Sequence, residues 1–253
     1  MTYSPELIDL AINTARESLQ HLKNINNRDY SLIQSEDLHE LKSKIDIELN
    51  ILIEKKLKKT NIPILSEEEY GAADVDTITK PKLWWIVDPL DGTINFVRNL
   101  GPCGISIALY SGMTPLFGVV VEYPSGDIYW GGRGVGSFVN GSKIIVSDKN
   151  DPSISVACTG KPSRLILNET ITHILINLFN SFAKIRMLGS ASISLIKLAR
   201  GDIEFYSENE IMIWDVAAGI AIVEGAGGVV SAMPGNHPYA LNVTATNGKV
   251  AIN

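Results

Sequence analysis

Two stretches of helical spacing dominate the first quarter of the chain. In residues 6–22, apolar side chains recur every three or four positions, after a Ser4-Pro5 pair that is typical of a helix start. The same spacing returns over residues 45–58. Both stretches therefore predict amphipathic helices. The polar residues 24–42 between them predict a loop, or a mobile hairpin, over a site.

Between residues 84 and 146 the pattern changes to that of β-strands. Short apolar or alternating segments are joined by Ser-Gly, Pro-Ser-Gly and Asn-Gly turns, which predicts an antiparallel sheet. The glycine-rich stretch 131–136 fails the spacing of a dinucleotide-binding loop and lies between strands, so we interpret it as a hairpin connection. The predicted strands cover residues 83–87, 105–110, 116–122, 127–130 and 137–139.

Strands and helices alternate again after residues 148–152. There is no repeat, no low-complexity segment and no flexible linker, so we expect two halves, 1–148 and 149–253, packed as one compact unit. In the second half we predict strands at 154–158, at 203–206 and near Val229 and Val243, and helices at 170–182, 191–199 and 216–224.

Composition and charge argue against several classes of protein function. The 253 residues are 45% hydrophobic and 20% charged, which is ordinary for a globular protein. The net charge of −6, without a basic stripe, argues against a nucleic-acid partner. The two cysteines form no CxxC or Cys/His cluster, which argues against structural zinc and disulfides. We see no signal peptide and no apolar run long enough to span a membrane, so we expect a cytoplasmic protein without a membrane partner.

The richest candidate chemistry follows the apolar run 83–87, which predicts a buried strand broken by Asp-Pro. The next residues read Asp88-Pro89-Leu90-Asp91-Gly92-Thr93-Ile94-Asn95. Two carboxylates then share a turn at the end of the strand, and the backbone N–H groups of Gly92 and Thr93 can bind phosphate. Carboxylates for cations beside an anion site indicate metal-dependent phosphate chemistry. An ordinary strand-to-helix turn is the alternative.

Three further acidic positions are ambiguous when each is taken alone. Glu67 belongs to a Glu-Glu-Glu run that could be a solvated acidic face. Asp215 precedes an apolar helix and could be its N-cap. Asp46 lies near the start of the second helix, where an acid favours the helix dipole.

Taken together, these motifs resemble the inositol monophosphatase-like family of magnesium-dependent, lithium-sensitive phosphomonoesterases. The resemblance covers roughly residues 8–243 and depends on the order and spacing of three segments. These are Ser66-Glu67-Glu68, residues 88–96 and Trp214-Asp215-Val216-Ala217-Ala218-Gly219; the glycine-containing segments 189–192 and 225–228 also fit.

The resemblance implies a role for each matching position. Glu67, Asp88 and the carbonyl oxygen of Leu90 would hold one Mg²⁺; Asp88, Asp91 and Asp215 would hold a second; and Glu67 would help to bind a third through water. Gly92 and Thr93 amides would bind phosphate, while the Thr93 hydroxyl, paired with Asp46, would help to deprotonate the attacking water. Glu68 is the alternative to Glu67, and the segment before Asp46 departs from the usual family pattern.

The resemblance implies two to three magnesium ions per site, and the physical chemistry of phosphate esters agrees with two of them. Hydrolysis of a phosphate monoester needs on the order of 20 kcal/mol of transition-state stabilisation, and two cations about 4 Å apart supply much of it. Magnesium prefers the oxygen ligands that these segments offer, and direct attack by water needs no covalent intermediate.

The substrate is less well defined than the reaction. Asn95-Phe96 resembles the inositol monophosphatase branch, in which the position of Glu208 binds substrate hydroxyls, and Ala191 and the loop 159–161 could line the pocket. We therefore expect a small polyol or sugar phosphate, most of all inositol monophosphate. Lys161 and Arg164 could instead attract a second phosphate, as in a 3′,5′-bisphosphate nucleotidase or a fructose-1,6-bisphosphatase. A catalytically silent regulator that binds metal and phosphate is the non-enzyme alternative.

The expected fold is of the α/β (α+β) class. It is a layered α-β-α-β-α sandwich, with an antiparallel sheet in the first half and a mixed sheet in the second. Since members of the family are commonly dimers, the resemblance also implies a homodimer.

Overall fold

The computed structural model describes residues 4–25, 32–34, 41–72, 83–161 and 165–250, with the backbone alone at 32–34, 41–43 and 70–72. Two sheets and three groups of helices alternate in five layers, α-β-α-β-α, as expected. The helices of the described residues are α1 (Pro5–Lys23), α2 (Lys44–Leu57), α3 (Thr93–Arg98), α4 (Glu169–Ser181), α5 (Ala191–Ala199) and α6 (Ile213–Gly225).

The outer layer consists of α1 and α2, each within one residue of its predicted bounds. Pro5 occupies the first turn of α1, where a missing backbone N–H costs no hydrogen bond. In α2, buried side chains recur every four residues, at Ile45, Leu49, Ile53 and Leu57. This apolar stripe holds the two helices against one face of the first sheet.

The first sheet has seven strands in the order β3-β4-β5-β6-β7-β8-β9. Its neighbours are antiparallel, as predicted, except that the edge strand β3 runs parallel to β4. The glycine-rich stretch 131–136 is the predicted hairpin connection, between β7 and β8. The strands are β3 (Ile64–Ser66), β4 (Leu83–Asp91), β5 (Cys103–Ser111), β6 (Thr114–Tyr123), β7 (Ile128–Gly132), β8 (Gly136–Val139) and β9 (Ser142–Ile144).

The position of strand β4 between two helix layers explains why its sequence is apolar without alternation. Trp85 and Val87 pack towards α1 and α2, whereas Trp84 and Ile86 pack towards α5 and α6 on the other face. A strand that is buried on both faces needs apolar side chains at every position.

The second sheet is mixed and has the order β11-β10-β12-β14-β13. Strand β10 is parallel to β11 and β12, and β14 is antiparallel to β12 and β13. Helices α5 and α6 fill the layer between the sheets, and α4 covers the far side through Leu178 and Phe182. The strands are β10 (Val156–Thr159), β11 (Lys184–Arg186), β12 (Phe205–Met212), β13 (Val229–Pro234) and β14 (Ala240–Thr246).

Three predicted bounds need correction. The apolar run of β4 does not end at Asp-Pro, because the strand continues to Asp91 through a bulge. Strand β10 begins at Val156 instead of Ile154, since Pro152–Ile154 is a 3-10 turn capped by the carboxylate of Asp151. Strand β12 extends to Met212, well past the predicted end at residue 206.

The predicted loop or hairpin at 24–42 lies partly outside the described residues. Its described backbone forms two short antiparallel strands, β1 (Leu32–Gln34) and β2 (Leu41–Ser43), and β2 lies beside α3. Residues 26–31 and 35–40 are not described, and the same holds for Arg164. The division into halves at residues 148 and 149 stays a prediction.

Candidate active site

The bulge in β4 brings two carboxylates to one side of the strand. Asp88 lies opposite Ser106 of β5, and Asp91 lies opposite Gly104, so that three residue steps on β4 match two on β5. In a regular strand, side chains three positions apart point to opposite faces. The extra residue of the bulge removes that difference. Proline fits here because a bulge residue need not donate to the ladder.

Asp88, Asp91 and Asp215 form a carboxylate cluster, in which Asp88 and Asp91 are buried and Asp215 is half-buried. One ligand oxygen from each lies within 4.8 Å of the others. Burial first, and then the negative charges of Glu67 and of the other two aspartates, hold the pKa of Asp88 well above its usual value. Burial, followed by the charge of Asp91, does the same to the pKa of Asp215. The cluster therefore binds protons or cations to relieve charge repulsion.

Residues from the second half of the chain hold the Asp91 carboxylate in place. Its Oδ2 accepts hydrogen bonds from Ser190 Oγ at 2.6 Å and from the backbone N–H of Ser192 at 2.7 Å. Burial raises the pKa of Asp91, and these hydrogen bonds oppose the rise. Ser190 is also the N-cap of α5, so the helix start orients the carboxylate.

Asp215 reaches the cluster from α6. It is the third residue of that helix, whose N-cap is Met212, so the N-cap interpretation of Asp215 is wrong. The start of α6 is held against the first sheet by a hydrogen bond from Ser106 Oγ to the carbonyl oxygen of Trp214. Since Ser106 lies opposite Asp88 on β5, the same pair of strands positions both aspartates.

Glu67 lies next to the cluster but does not join it. It is the first residue after β3, whose Ser66 pairs with Val87 of β4. Its carboxylate is half-buried and lines the cavity described below, which the neighbouring Glu68 does not. This placement favours Glu67 over Glu68 as a ligand.

Thr93 and Asp46 are in direct contact. Thr93 Oγ1 donates to Asp46 Oδ1 at 2.7 Å, and the carbonyl oxygen of Leu90 is a second acceptor at 3.1 Å. Asp46 is buried in α2. Because a hydroxyl has one proton and two lone pairs, a Thr93 hydroxyl that donates to either oxygen still accepts a proton from a third group.

Gly92 joins β4 to α3 in a conformation that needs glycine. Its φ is +94°, and an added Cβ would lie 3.1 Å from the carbonyl oxygen of Gly189. The backbone of residues 92–93 therefore lies directly against the loop that carries Ser190. Asn95 links the same parts, since its Nδ2 donates to the carbonyl oxygens of Leu188 and Pro102 at 2.7 and 2.8 Å.

The cluster opens into a cavity of about 300 Å³, a size that suits a small ligand. Ala191 and the loop residues Gly160 and Lys161 line it, as the sequence suggested. Lys161 is the one cationic side chain among the described lining residues. These are Glu67, Asp91, Ile94, Gly160, Lys161, Gly189, Ser190, Ala191, Glu208, Glu210, Ile211, Met212, Trp214 and Asp215.

Glu208 and Glu210 are buried residues of β12. Burial, followed by the charge of Asp91, raises the pKa of Glu208 to about 8. The absence of a side chain at Gly160 lets the Glu208 carboxylate lie against that loop, because an added Cβ would overlap it.

The carboxylate cluster fits a hard cation. Asp88 Oδ2 is buried and accepts no hydrogen bond from a described residue, although Oδ1 accepts one from the Leu90 N–H. No lysine or arginine of the described residues forms an ion pair with the three aspartates. Oxygen donors of this kind are what Mg²⁺ prefers.

Sequence reasoning did not assign a role to Ser190, Ser192, Asn95 or Glu210. A serine before a helix has an ordinary explanation as a cap, and nothing local indicates that Ser190 contacts Asp91. Their partners lie far away in the chain, so only the fold reveals them.

The comparisons with known proteins agree on one family. The sequence profile of the inositol monophosphatase family matches residues 4–252. The Nus factor SuhB of Escherichia coli K12 is 35% identical over 176 residues, which are 68% of this chain and 66% of that protein. The fructose-1,6-bisphosphatase/inositol-1-monophosphatase of Aquifex aeolicus is 34% identical over 146 residues, 57% of this chain and 55% of that protein. An IMPase structure from Thermotoga maritima superposes with a TM-score of 0.80 at 27% identity, covering 96% of this chain and 92% of that one.

The fold and the site define an α-β-α-β-α protein with a carboxylate cluster beside a cavity that Asp91 and Asp215 line. The chain belongs to the inositol monophosphatase family. The matched region spans just under two thirds of the Escherichia coli relative. Among the described residues, no helix is both long and apolar enough to cross a membrane.

Proposed function

We propose that this chain is a magnesium-dependent phosphomonoesterase that acts on a small polyol or sugar phosphate, preferentially inositol monophosphate. The observation that carries the proposal is the convergence of Asp88, Asp91 and Asp215 beside a cavity that Asp91, Asp215 and Glu67 line. Such a site offers cations to a phosphate ester that acidic side chains alone would repel.

In this proposal Glu67, Asp88 and the Leu90 carbonyl oxygen would hold one Mg²⁺; Asp88, Asp91 and Asp215 would hold another; and a third ion would bind near Glu67. The Oδ2 atom of Asp88 accepts no hydrogen bond from a described residue, which supports a role as a metal ligand. When bound, the ions supply positive charge to the phosphate oxygens and activate the attacking water.

Backbone and side-chain groups of the protein carry out the remaining steps. Gly92 and Thr93 present backbone N–H groups to the phosphate beside the cluster. Asp46 accepts a hydrogen bond from the Thr93 hydroxyl, which turns a lone pair of the hydroxyl towards the water. That lone pair orients the water and accepts its proton during attack while the Thr93 proton passes to Asp46, a role worth about a hundredfold or more in rate.

Substrate choice follows from the cavity wall beyond the aspartates. Glu208 exchanges hydrogen bonds with polyol hydroxyls there and offers no positive charge to a second phosphate. A bisphosphate would find Lys161 alone as a cationic partner among the described lining residues. Fructose bisphosphatase activity is a second candidate, because the Aquifex aeolicus relative carries both names.

A regulatory function without turnover is a third candidate, because other relatives are named Nus factors. Retention of the aspartate cluster and of the hydrogen bond between Thr93 and Asp46 favours turnover. The homodimer and the lithium sensitivity that the resemblance implies stay predictions, as does the cytoplasmic location expected from the sequence.

Phosphate release from inositol 1-phosphate, fructose 1,6-bisphosphate and adenosine 3′,5′-bisphosphate, with Mg²⁺ and with EDTA, tests the proposal. We expect turnover only with Mg²⁺ and fastest with inositol 1-phosphate. Asp91→Asn and Thr93→Val should each lower kcat/KM by about a hundredfold or more. The exposed Asp9 on α1 provides a matched control, since Asp9→Asn removes a charge away from the cavity and should leave turnover unchanged.

Two results would contradict the proposal. Unchanged activity of Asp91→Asn would exclude the metal assignment. Binding of Mg²⁺ and phosphate by titration calorimetry, without release of phosphate from any ester, would favour the regulatory candidate.

A further inference from the structure

Glu210 occupies a backbone conformation that normally belongs to glycine. It lies in the bulge of β12 between Glu208 and Ile211, with a φ of +60°. For a residue with a long side chain this conformation costs about 1 kcal/mol or more. Glycine would adopt this conformation without cost. The strain at Glu210 therefore indicates that its side chain makes contacts that glycine could not make.

The Glu210 carboxylate is held firmly in place. Both of its oxygens lie 3.0 Å from the backbone N–H of Asn236, and Oε1 also accepts from Asn236 Nδ2 at 2.9 Å. The N–H of Glu210 itself donates to Asn242 Oδ1 at 3.1 Å. Among the described residues, the backbone N–H of Asn236 is the one donor to Oε2, which leaves this oxygen able to accept further hydrogen bonds.

This fixed carboxylate lies at the wall of the candidate active site. Glu210 is 8% exposed and lines the same cavity as Glu208 and Lys161. The cavity wall beyond the proposed metal ligands thus offers two carboxylates and one lysine among the described residues. A surface of this charge accepts hydrogen bonds from hydroxyls and repels a second phosphate.

We propose that Glu210 is a specificity-determining residue, whose fixed carboxylate binds hydroxyls of a polyol monophosphate and excludes bisphosphates. The inference rests on the phosphatase function proposed above. It assigns to Glu210 a contact with substrate, in addition to its tie to the turn at Asn236.

Two substitutions of Glu210 separate charge from backbone conformation. Glu210→Gly removes the side chain and suits a positive φ, so the variant should fold. Glu210→Gln keeps the shape and removes the charge. We measure kcat/KM for inositol 1-phosphate and fructose 1,6-bisphosphate, together with the Tm of each variant.

We expect the ratio of bisphosphate to monophosphate kcat/KM to rise about tenfold in both variants, because a like charge near the second phosphate is gone. In Glu210→Gly, KM for the monophosphate should also rise as hydroxyl contacts are lost. The control Asp9→Asn, which changes net charge equally, should leave the ratio unchanged.

A merely structural role of Glu210 gives a different result. Both substrates would then lose kcat/KM alike, with an altered Tm and an unchanged ratio, and that outcome would overturn the inference. A wild-type protein that prefers the bisphosphate would overturn it as well. Phosphate release from neither ester would instead refute the proposed function, and the inference with it.

Discussion

Ser190 uses one hydroxyl for two purposes. Its Oγ donates to Asp91 Oδ2 at 2.6 Å and accepts the N–H of Ile193 at 3.3 Å as the N-cap of α5. The first contact stabilises an ionised carboxylate, and the second stabilises a helix start. The two effects can be separated because the chain contains a second side-chain N-cap, Asn168 of α4.

Ser190→Ala should raise the Mg²⁺ concentration needed for half-maximal activity by about tenfold, since loss of a partner that orients a ligand weakens metal binding. Loss of the cap should also lower the free energy of unfolding by about 1 kcal/mol. Magnesium titrations of activity and chemical denaturation measure the two effects.

Asn168→Ala is the matched control. Its side chain caps α4 through a bond to the Ile171 N–H and lies outside the cluster. It should lose similar stability without a change in the magnesium requirement. An equal rise in both variants would mean that stability alone accounts for the effect.

At the residue scale, the sequence singled out three carboxylates that the structure brings together, but not the groups that hold them. Asp88, Asp91 and Asp215 lie in motifs whose order and spacing are recognisable. The bond from Ser190 to Asp91 joins residues 99 positions apart, and the φ of Glu210 depends on a strand partner. Neither property leaves a signal in neighbouring residues.

At the element scale, the bulge of β4 is a feature that the hydrophobic pattern could not predict. Asp-Pro correctly marked an interruption of the ladder, yet it does not end the strand, because β5 continues to pair with it at Gly104. Pairing partners decide whether proline ends a strand or sits in a bulge. The helices α1 and α2 were predictable almost to the residue, because their apolar period is local.

Strand β6 and helix α6 pack backbone against backbone at Gly118. An added Cβ there would lie 2.5 Å from the Cα of Ala218. This close approach sets the position of the helix that carries Asp215. Tyr110 holds the same helix, through a hydrogen bond from its hydroxyl to the carbonyl oxygen of Ala217 at 3.1 Å.

Gly118→Ala should therefore move α6 and affect the site at a distance. We expect a loss of about 1–3 kcal/mol in the free energy of unfolding from overpacking, and a weaker response of activity to Mg²⁺. Chemical denaturation and magnesium titration test both expectations.

Gly101→Ala is the control, since an added Cβ would meet only Asn95 Nδ2 at 3.8 Å, an ordinary contact. Its stability and magnesium response should match those of the wild type. A Gly118→Ala protein with normal magnesium response would show that the helix start stays in place despite the overpacking.

At the scale of the whole molecule, the layers bring the site together. The first sheet carries Asp88 and Asp91, and the helix layer between the sheets carries Ser190 and Asp215. The hydrophobic pattern predicts the elements, but not which face of a sheet a later helix covers. That part of the architecture followed from the family resemblance.

The clustered carboxylates make the stability of the metal-free protein depend on pH. Burial and mutual repulsion raise the pKa values of Asp88, Asp215 and Glu208, the last to about 8. A carboxyl whose pKa is higher in the folded state binds more protons there than in the unfolded chain. Stability is then greatest at low pH and falls as pH rises from the ordinary carboxyl values through the folded ones.

In EDTA, we therefore expect Tm to fall between about pH 4.5 and about pH 8, the ordinary and the raised pKa of Glu208. Mg²⁺ binds the ionised cluster of the folded state, so saturating Mg²⁺ should reduce this fall.

Asp215→Asn removes one repelling charge and should flatten the metal-free profile while weakening the stabilisation by Mg²⁺. Asp9→Asn, with its charge on an exposed helix surface, should follow the wild type in both conditions. Thermal unfolding followed by circular dichroism measures all four profiles, and an Asp215→Asn profile identical to the wild type would show that this carboxylate neither repels its neighbours nor binds the ion.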